Sequence, residues 1–145
     1  MPTRRAFLLF GIAAVAGGAI AYPLIYPTYA GGVLDAKTAH QRQIAGDLIL
    51  IDIRRPDEWA ATGTAEGAHR LDLRRDDFIA ALDQIAGQDR SRPIALICAR
   101  GIRSARLANL LVENGFTNIL NIPEGMNGSA EGPGWVKRGL PLTHG

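Results

Sequence analysis

Residues 94–104 read IALICARGIRS, and this stretch decides the fold. Its first four residues, Ile94 to Ile97, form a continuous apolar run, which is typical of a strand buried on both faces. The residues after Cys98 include a glycine and two arginines and predict a loop. An amphipathic segment from about Arg103 to Asn114 then predicts a helix. The stretch is therefore a strand, a loop and a helix, with a cysteine at the first junction.

The same alternation of strand and helix continues on both sides of this unit. The other predicted helices run from Asp35 to Ile44, from Pro56 onward and from Asp76 to Gly87, and the other predicted strands are residues 48–51, residues 68–73 (weakly) and residues 118–122. Strands separated by helices need crossover connections, so the sequence predicts an α/β fold with a parallel sheet and helices on both faces. In the helix after Cys98 we expect Leu107, Leu110 and Leu111 to be buried, and Gly115 to form a left-handed cap.

Composition narrows the classes of function. The chain has 145 residues, 47% of them hydrophobic and 21% charged, which suits one globular domain with an appendage. A net charge of +2 with scattered arginines gives no reason to expect nucleic acid as a partner. One cysteine excludes an internal disulfide, and His40, His69 and His144 lie too far apart in sequence for a typical metal motif. We therefore expect neither a metal nor a cofactor.

Residues 1–30 differ from the remainder. Arg4 and Arg5 precede a charge-free, apolar and glycine-rich run from Ala6 to Ala21, which predicts a signal peptide. The text from Thr3 to Leu8 resembles a twin-arginine export signal, and small residues at 19–21 and 28–30 offer two cleavage sites.

An uncleaved membrane anchor is the alternative for residues 1–30. The charge-free stretch continues from Ala6 past Ala30 and is long enough for the roughly 20 residues that span a bilayer. Pro23 and Pro27 shorten its helical part, and Tyr22, Tyr26 and Tyr29 suit a membrane interface. Both alternatives predict export, with a periplasmic domain that is soluble after cleavage or anchored to the cytoplasmic membrane.

The loop after Cys98 has the composition of a reactive site. Backbone N–H groups at the start of a helix form a cup that binds anions, and the same field favours a thiolate. Arg100 and Arg103 add positive charge, and Gly101 lets the backbone approach closely. A buried structural cysteine is the alternative, because free cysteine is often buried. The two arginines and the glycine favour the reactive cysteine.

Two motifs carry a family resemblance. Asp52-x-Arg54 followed by Pro56-x-Glu58-Trp59, together with Cys98-x-x-Gly101-x-Arg103-Ser104, resembles the rhodanese homology domain. The motif after Gly63 agrees only in part, because residues 64–66 replace the usual ones. The resemblance covers about Val33 to Leu142 and implies a rhodanese domain over residues 33–143.

The resemblance also implies roles for particular residues. Cys98 would carry a sulfane sulfur as a persulfide. Substrate would be bound by the rest of the loop, which is Ala99, Arg100, Gly101, Ile102, Arg103 and Ser104. An ion-paired scaffold beneath the loop would be formed by Asp52, Arg54 and Glu58. Related phosphatases and arsenate reductases have a loop one residue longer, so the resemblance favours sulfur over phosphate.

The implied activity is sulfur transfer from a donor such as thiosulfate to cyanide or a thiol. Arg100 replaces the serine or threonine of many single-domain members, which favours a small anionic donor. Since no second cysteine is present, sulfur must leave to an external acceptor. The alternative is a sulfur-carrier module that serves a protein partner with little turnover of small molecules. Residues 126–134, rich in glycine, predict an irregular loop that either shapes access for the acceptor or is a surface insertion.

Overall fold

A computed structural model describes residues 28–145, and the signal or anchor predicted within residues 1–30 lies almost entirely outside them. The strands are β1 Gly32–Val33, β2 Ile49–Asp52, β3 Thr64–Ala65, β4 His69–Arg70, β5 Ile94–Ile97, β6 Ile119–Asn121 and β7 Leu142–Thr143; the helices are α1 Ala36–Ile44, α2 Pro56–Thr62, α3 Phe78–Ile85 and α4 Ile102–Glu113. The element that places the site is β5, because Cys98 directly follows it.

Five of the strands form one parallel sheet in the order β1-β6-β5-β2-β4. Strand β5 is third of the five and therefore central, and it is hydrogen-bonded to β2 on one side and to β6 on the other. A separate antiparallel pair joins β3 to β7. The sequence did not predict this pair, because strands of two residues are too short to show an alternating pattern.

Side chains alternate between the two faces of the sheet and build two cores. On one face Ile94 and Leu96 pack with Leu82 of α3 and Leu107 of α4. On the other face the core of α1 and the sheet includes the fully buried Trp135. The predicted α/β fold with helices on both faces is confirmed.

Local signals place the ends of the helices. The Asp35 side chain accepts a hydrogen bond from the Thr38 N–H at 2.7 Å, which caps α1 where the sequence predicted. Gly115 follows α4 with a φ of 89°, as the predicted cap requires. Strand β2 begins one residue later than predicted and extends to Asp52.

The prediction that Leu110 is buried was wrong. Helix α4 buries the side defined by Leu107, Ala108 and Leu111, whereas Leu110 lies at the edge of that side and is 47% exposed. Leucine spacing alone does not give the width of a buried helix face, which depends on the neighbouring helix. Leu110 lines a surface groove together with residues of α3, including Phe78.

The residues that precede β1 contact the rest of the domain, beginning with Thr28. The Asn109 side chain donates to the Thr28 carbonyl at 2.9 Å, and the Tyr29 hydroxyl donates to the Ile119 carbonyl at 2.7 Å. The anchored alternative placed Tyr29 at a membrane interface, but here its ring packs against the core. Within residues 28–145 no helix has the length and apolar character needed to cross a bilayer.

Candidate active site

Cys98 is buried at the carboxyl end of the central strand, with 1% of its surface exposed. The Gly101 N–H donates to the Cys98 sulfur at 3.1 Å. The Cys98 thiol lies 3.3 Å from the Ser104 hydroxyl, to which it donates. A hydroxyl can rotate and donate in turn when the thiol loses its proton. The sulfur therefore has two neighbours that can stabilise negative charge.

The loop that holds Cys98 rests on residues 123–127. The N–H groups of Met126 and Asn127 donate to the carbonyls of Cys98 and Ala99, at 2.8 and 2.9 Å. These two carbonyls are therefore occupied, while the first N–H groups of α4 beside them have no partner within the helix and no side-chain cap. The result is a cup lined by donors, as anion binding requires.

Gly101 is required at its position for two reasons. Its φ is 88°, a conformation that residues with a side chain rarely adopt. A Cβ there would also lie 2.2 Å from the Pro123 carbonyl oxygen. The structure thus gives a steric reason for the glycine of the Cys98 loop.

The two arginines of the loop have different surroundings. Arg103 binds Glu58 through both terminal nitrogens, at 2.7 and 2.8 Å. This pairing with Glu58 raises the pKa of Arg103, against the effect of burial. Arg100, in contrast, is exposed and has no hydrogen bond or ion pair with any residue in the described part of the chain. Arg100 is therefore the available cation of the loop.

Glu58 is held in its charged form. The Arg103 guanidinium beside it lowers the pKa of Glu58 to about 2 from an ordinary 4.5, against the opposing effect of burial. The Arg55 N–H also donates to Glu58 at 3.0 Å, which caps the start of α2. Glu58 thus joins the start of α2 to the first turn of α4.

Asp52 and Arg54 form a fully buried ion pair of 2.8 Å. The Arg54 guanidinium also donates to the Gly63 carbonyl at 2.8 Å and to the Thr62 hydroxyl at 2.9 Å. These bonds fix the last turn of α2 to the end of β2. Of the three residues predicted as an ion-paired scaffold, Asp52 and Arg54 hold α2, and Glu58 on that helix contacts the loop through Arg103.

The other predicted loop residues lie at the rim. Ile102 is 36% exposed at the start of α4, and Ala99 is half-buried. Residues 126–134 form a folded turn, in which Ser129 and Gly132 form an antiparallel bridge. The Ser129 hydroxyl also donates to the Pro123 carbonyl at 2.8 Å.

The sequence did not single out Glu124, which is 1% exposed. It accepts hydrogen bonds from the Ala36 N–H and the Gly134 N–H, both at 2.7 Å, and from the Arg138 side chain at 2.9 Å. Burial raises the pKa of Glu124, but these donors outweigh it and leave the pKa below its usual value. One acidic residue in a glycine-rich segment gave no signal of this role.

Comparison with known proteins identifies the relatives of this site. The family model described as "Rhodanese-like domain" matches residues 35–131. A tRNA uridine(34) hydroxylase from Nitrobacter hamburgensis is 35% identical over 115 residues, 76% of this chain, which spans only 44% of that relative. A thiosulfate sulfurtransferase GlpE from Actinobacillus pleuropneumoniae is 29% identical over 64% of this chain and 75% of its own length. The polysulfide-sulfur transferase homodimer from Wolinella succinogenes is 26% identical, covers 92% of this chain and 89% of its own, and superposes with a TM-score of 0.62.

Proposed function

Because the chain belongs to the rhodanese-like family, which has sulfurtransferases among its members, we propose that it transfers sulfane sulfur through a persulfide on Cys98. The donor we propose is a small anion such as thiosulfate, and the acceptor is cyanide or a thiol. The observation that supports this most is the hydrogen bond from the Gly101 N–H to the buried Cys98 sulfur, at the N-terminal end of α4.

The chemistry follows from that geometry. The Cys98 thiolate attacks the outer sulfur of thiosulfate, a new S–S bond forms, and the donor's own S–S bond breaks to release sulfite. The donor-lined cup and Arg100 stabilise the negative charge on the departing anion. An acceptor thiolate or cyanide then attacks the outer sulfur of the persulfide, which restores the Cys98 thiolate. The products are a persulfide or thiocyanate.

A second candidate is a sulfur carrier for a protein partner, which the absence of a second cysteine supports. Cys98 is the only cysteine of the chain, so no internal thiol can resolve the persulfide. A carrier would load sulfur as readily as the enzyme but release it slowly to cyanide or small thiols. The ratio of loading to release rates therefore separates the two functions.

For location we propose export, with the domain outside the cytoplasm and residues 1–30 acting as signal or anchor. The support is the charged start and the apolar run, both read from sequence. Fractionation of cells that express the full chain is expected to find it in the periplasm or on the membrane. Replacing Arg4 and Arg5 with lysine is expected to block a twin-arginine route, and unchanged export would exclude that route.

Intact-mass spectrometry tests the sulfur chemistry. After incubation with thiosulfate and desalting, the protein is expected to gain about 32 Da, the mass of one sulfur atom, at Cys98. Cyanide should remove this mass and yield thiocyanate. Cys98→Ser should gain nothing, because a serine hydroxyl is not appreciably ionised and cannot hold sulfane sulfur. No gain from any sulfane donor would contradict the proposal, as would thiosulfate turnover by Cys98→Ser.

A further inference from the structure

Glu124 lies within the segment, residues 123–127, that supports the Cys98 loop. We propose that Glu124 is a positioning residue for Cys98: its carboxylate fixes residues 123–127, on which the loop rests. This inference builds on the proposed function, since it concerns the reactivity of the same thiol. Glu124 does not contact the sulfur and would act only through the backbone beside it.

Glu124 binds three separate parts of the chain. Its Oε1 atom accepts from the Ala36 N–H at the start of α1, and its Oε2 atom accepts from Gly134 and Arg138. Glu124 lies two residues before the 126–134 turn and Gly134 ends it, so one carboxylate ties the base of that turn to α1. At 1% exposure, these bonds are shielded from competing water.

Residues on both sides of Glu124 contact the Cys98 loop. On one side the Pro123 carbonyl lies against Gly101, where it leaves no room for a Cβ. On the other side Met126 donates its N–H to the Cys98 carbonyl. A displacement of this segment would therefore move the Gly101 N–H, which is the donor to the sulfur.

The fold of this segment does not depend on Glu124 alone. The base of the turn is already closed by backbone bonds, from Trp135 to Gly125 at 3.0 Å and from Val136 to Met126 at 3.1 Å. The domain can thus keep its fold in Glu124→Gln. The amide of glutamine, however, replaces one acceptor with a donor, which then faces the N–H of Ala36 or the donors on the other side. We expect Glu124→Gln to fold, with residues 123–127 displaced beneath the Cys98 loop.

The test is the pH dependence of Cys98 alkylation by iodoacetamide in the full chain. Iodoacetamide reports the thiolate without any sulfur transfer, so its result stands even where the proposed function fails. In Glu124→Gln we expect the half-maximal pH to rise by about one unit, which makes alkylation about tenfold slower below the midpoint, with an unchanged plateau at high pH. Sulfur loading from thiosulfate should slow in parallel.

Two further variants keep the inference falsifiable. Arg138→Gln removes one of the three bonds to Glu124 and leaves both amide contacts, so we expect a smaller shift in the same direction. This variant decides the question where Glu124→Gln does not fold.

Asp83→Asn is the matched control, because Asp83 is also a carboxylate bound by an arginine, Arg90. Arg90 donates to the carbonyl of Asn114, at the end of α4 away from Cys98. Asp83→Asn should lower stability and leave the alkylation profile unchanged. A wild-type profile in the folded variants of Glu124 and Arg138, or an equal shift in Asp83→Asn, would overturn the inference.

Discussion

The carboxylate of Glu58 and the guanidinium of Arg103 form a two-point ion pair across 45 positions of sequence, with N–O distances of 2.7 and 2.8 Å. Both side chains are partly shielded, with 19% and 30% of their surface exposed. The pair fixes the orientation of the first turn of α4, where the cup for the anion is formed. It also neutralises Arg103, so the net positive charge of the loop resides on Arg100.

Loss of this pair should cost stability in a pH-dependent way. The pKa of Glu58 is lowered to about 2 from 4.5, so the charged carboxylate stabilises the folded state fully above 4.5. That contribution is lost as the pH falls toward 2. For Glu58→Gln we expect the free energy of unfolding at neutral pH to fall by about 1–3 kcal/mol, allowing for partial exposure.

Urea unfolding of both proteins at several pH values measures this difference, which should shrink as the pH falls below 4.5. The control is Asp57→Asn, which removes an exposed partner of Arg55 and should change stability little. A difference that does not vary with pH would show that Glu58 acts by packing rather than charge.

Arg100→Ser should weaken the use of anionic donors. The exposed Arg100 has no acidic partner among residues 28–145, so its charge is available to a donor such as thiosulfate. An exposed charge contact is worth about 0.5–1.5 kcal/mol, so kcat/KM for thiosulfate should fall about three- to tenfold. Transfer from the loaded persulfide to a neutral thiol should change much less.

Arg92→Ser is the matched control for Arg100, because it removes the same charge just before β5, at the end of the sheet away from Cys98. Quench-flow mass spectrometry of the loading and release steps gives both rates. Equal loading by Arg100→Ser and the wild type would remove Arg100 from donor binding.

Gly101→Ala should strongly slow sulfur loading while the domain stays folded. The added Cβ meets the Pro123 carbonyl oxygen at 2.2 Å, so the loop has to shift and its N–H leaves the Cys98 sulfur. We expect sulfur loading to slow by about a hundredfold, similar to the loss of one preorganised donor at an anion site.

Gly46→Ala separates this effect from backbone strain. Gly46 has a φ of 77°, but nothing lies within 4 Å of an added Cβ. Both variants should lose about 1–3 kcal/mol of stability from the unfavourable φ. Only Gly101→Ala should lose activity, and equal loading rates in the two variants would contradict the contact argument.

Asp52→Asn should strongly destabilise the domain, because it leaves the buried charge of Arg54 without its partner. Removing one member of a buried pair costs about 3–5 kcal/mol. Asp47→Asn, which breaks a pair with Arg42 that is partly exposed, should cost far less. Thermal unfolding of the two variants measures the contrast, and a similar fall in Tm would show that the Asp52–Arg54 pair adds little.

The sequence could predict the features that neighbouring residues form. The strand, the loop and the helix around Cys98 are read from neighbouring residues, and so is the glycine with its two arginines. The sequence could not show that Arg103 pairs with Glu58 and that Arg100 remains available, because that pairing depends on how α2 packs beside α4. Glu124 was missed for the same reason, since its three donors come from distant parts of the chain. Leu110 was placed in the core because periodicity gives the centre of a helix face and not its edge.

The burial of Cys98 has a consequence for timing. With 1% of its surface exposed, the resting thiol is accessible only to reagents small enough to enter the cup. On the proposed chemistry, loading places the reactive sulfur one S–S bond, about 2 Å, beyond the Cys98 sulfur. On the same proposal, the sulfur-free protein would shield its thiol from bulky oxidants and acceptors, whereas the loaded protein would hold its reactive sulfur one bond nearer to them. Access for an acceptor would then depend on whether sulfur is loaded.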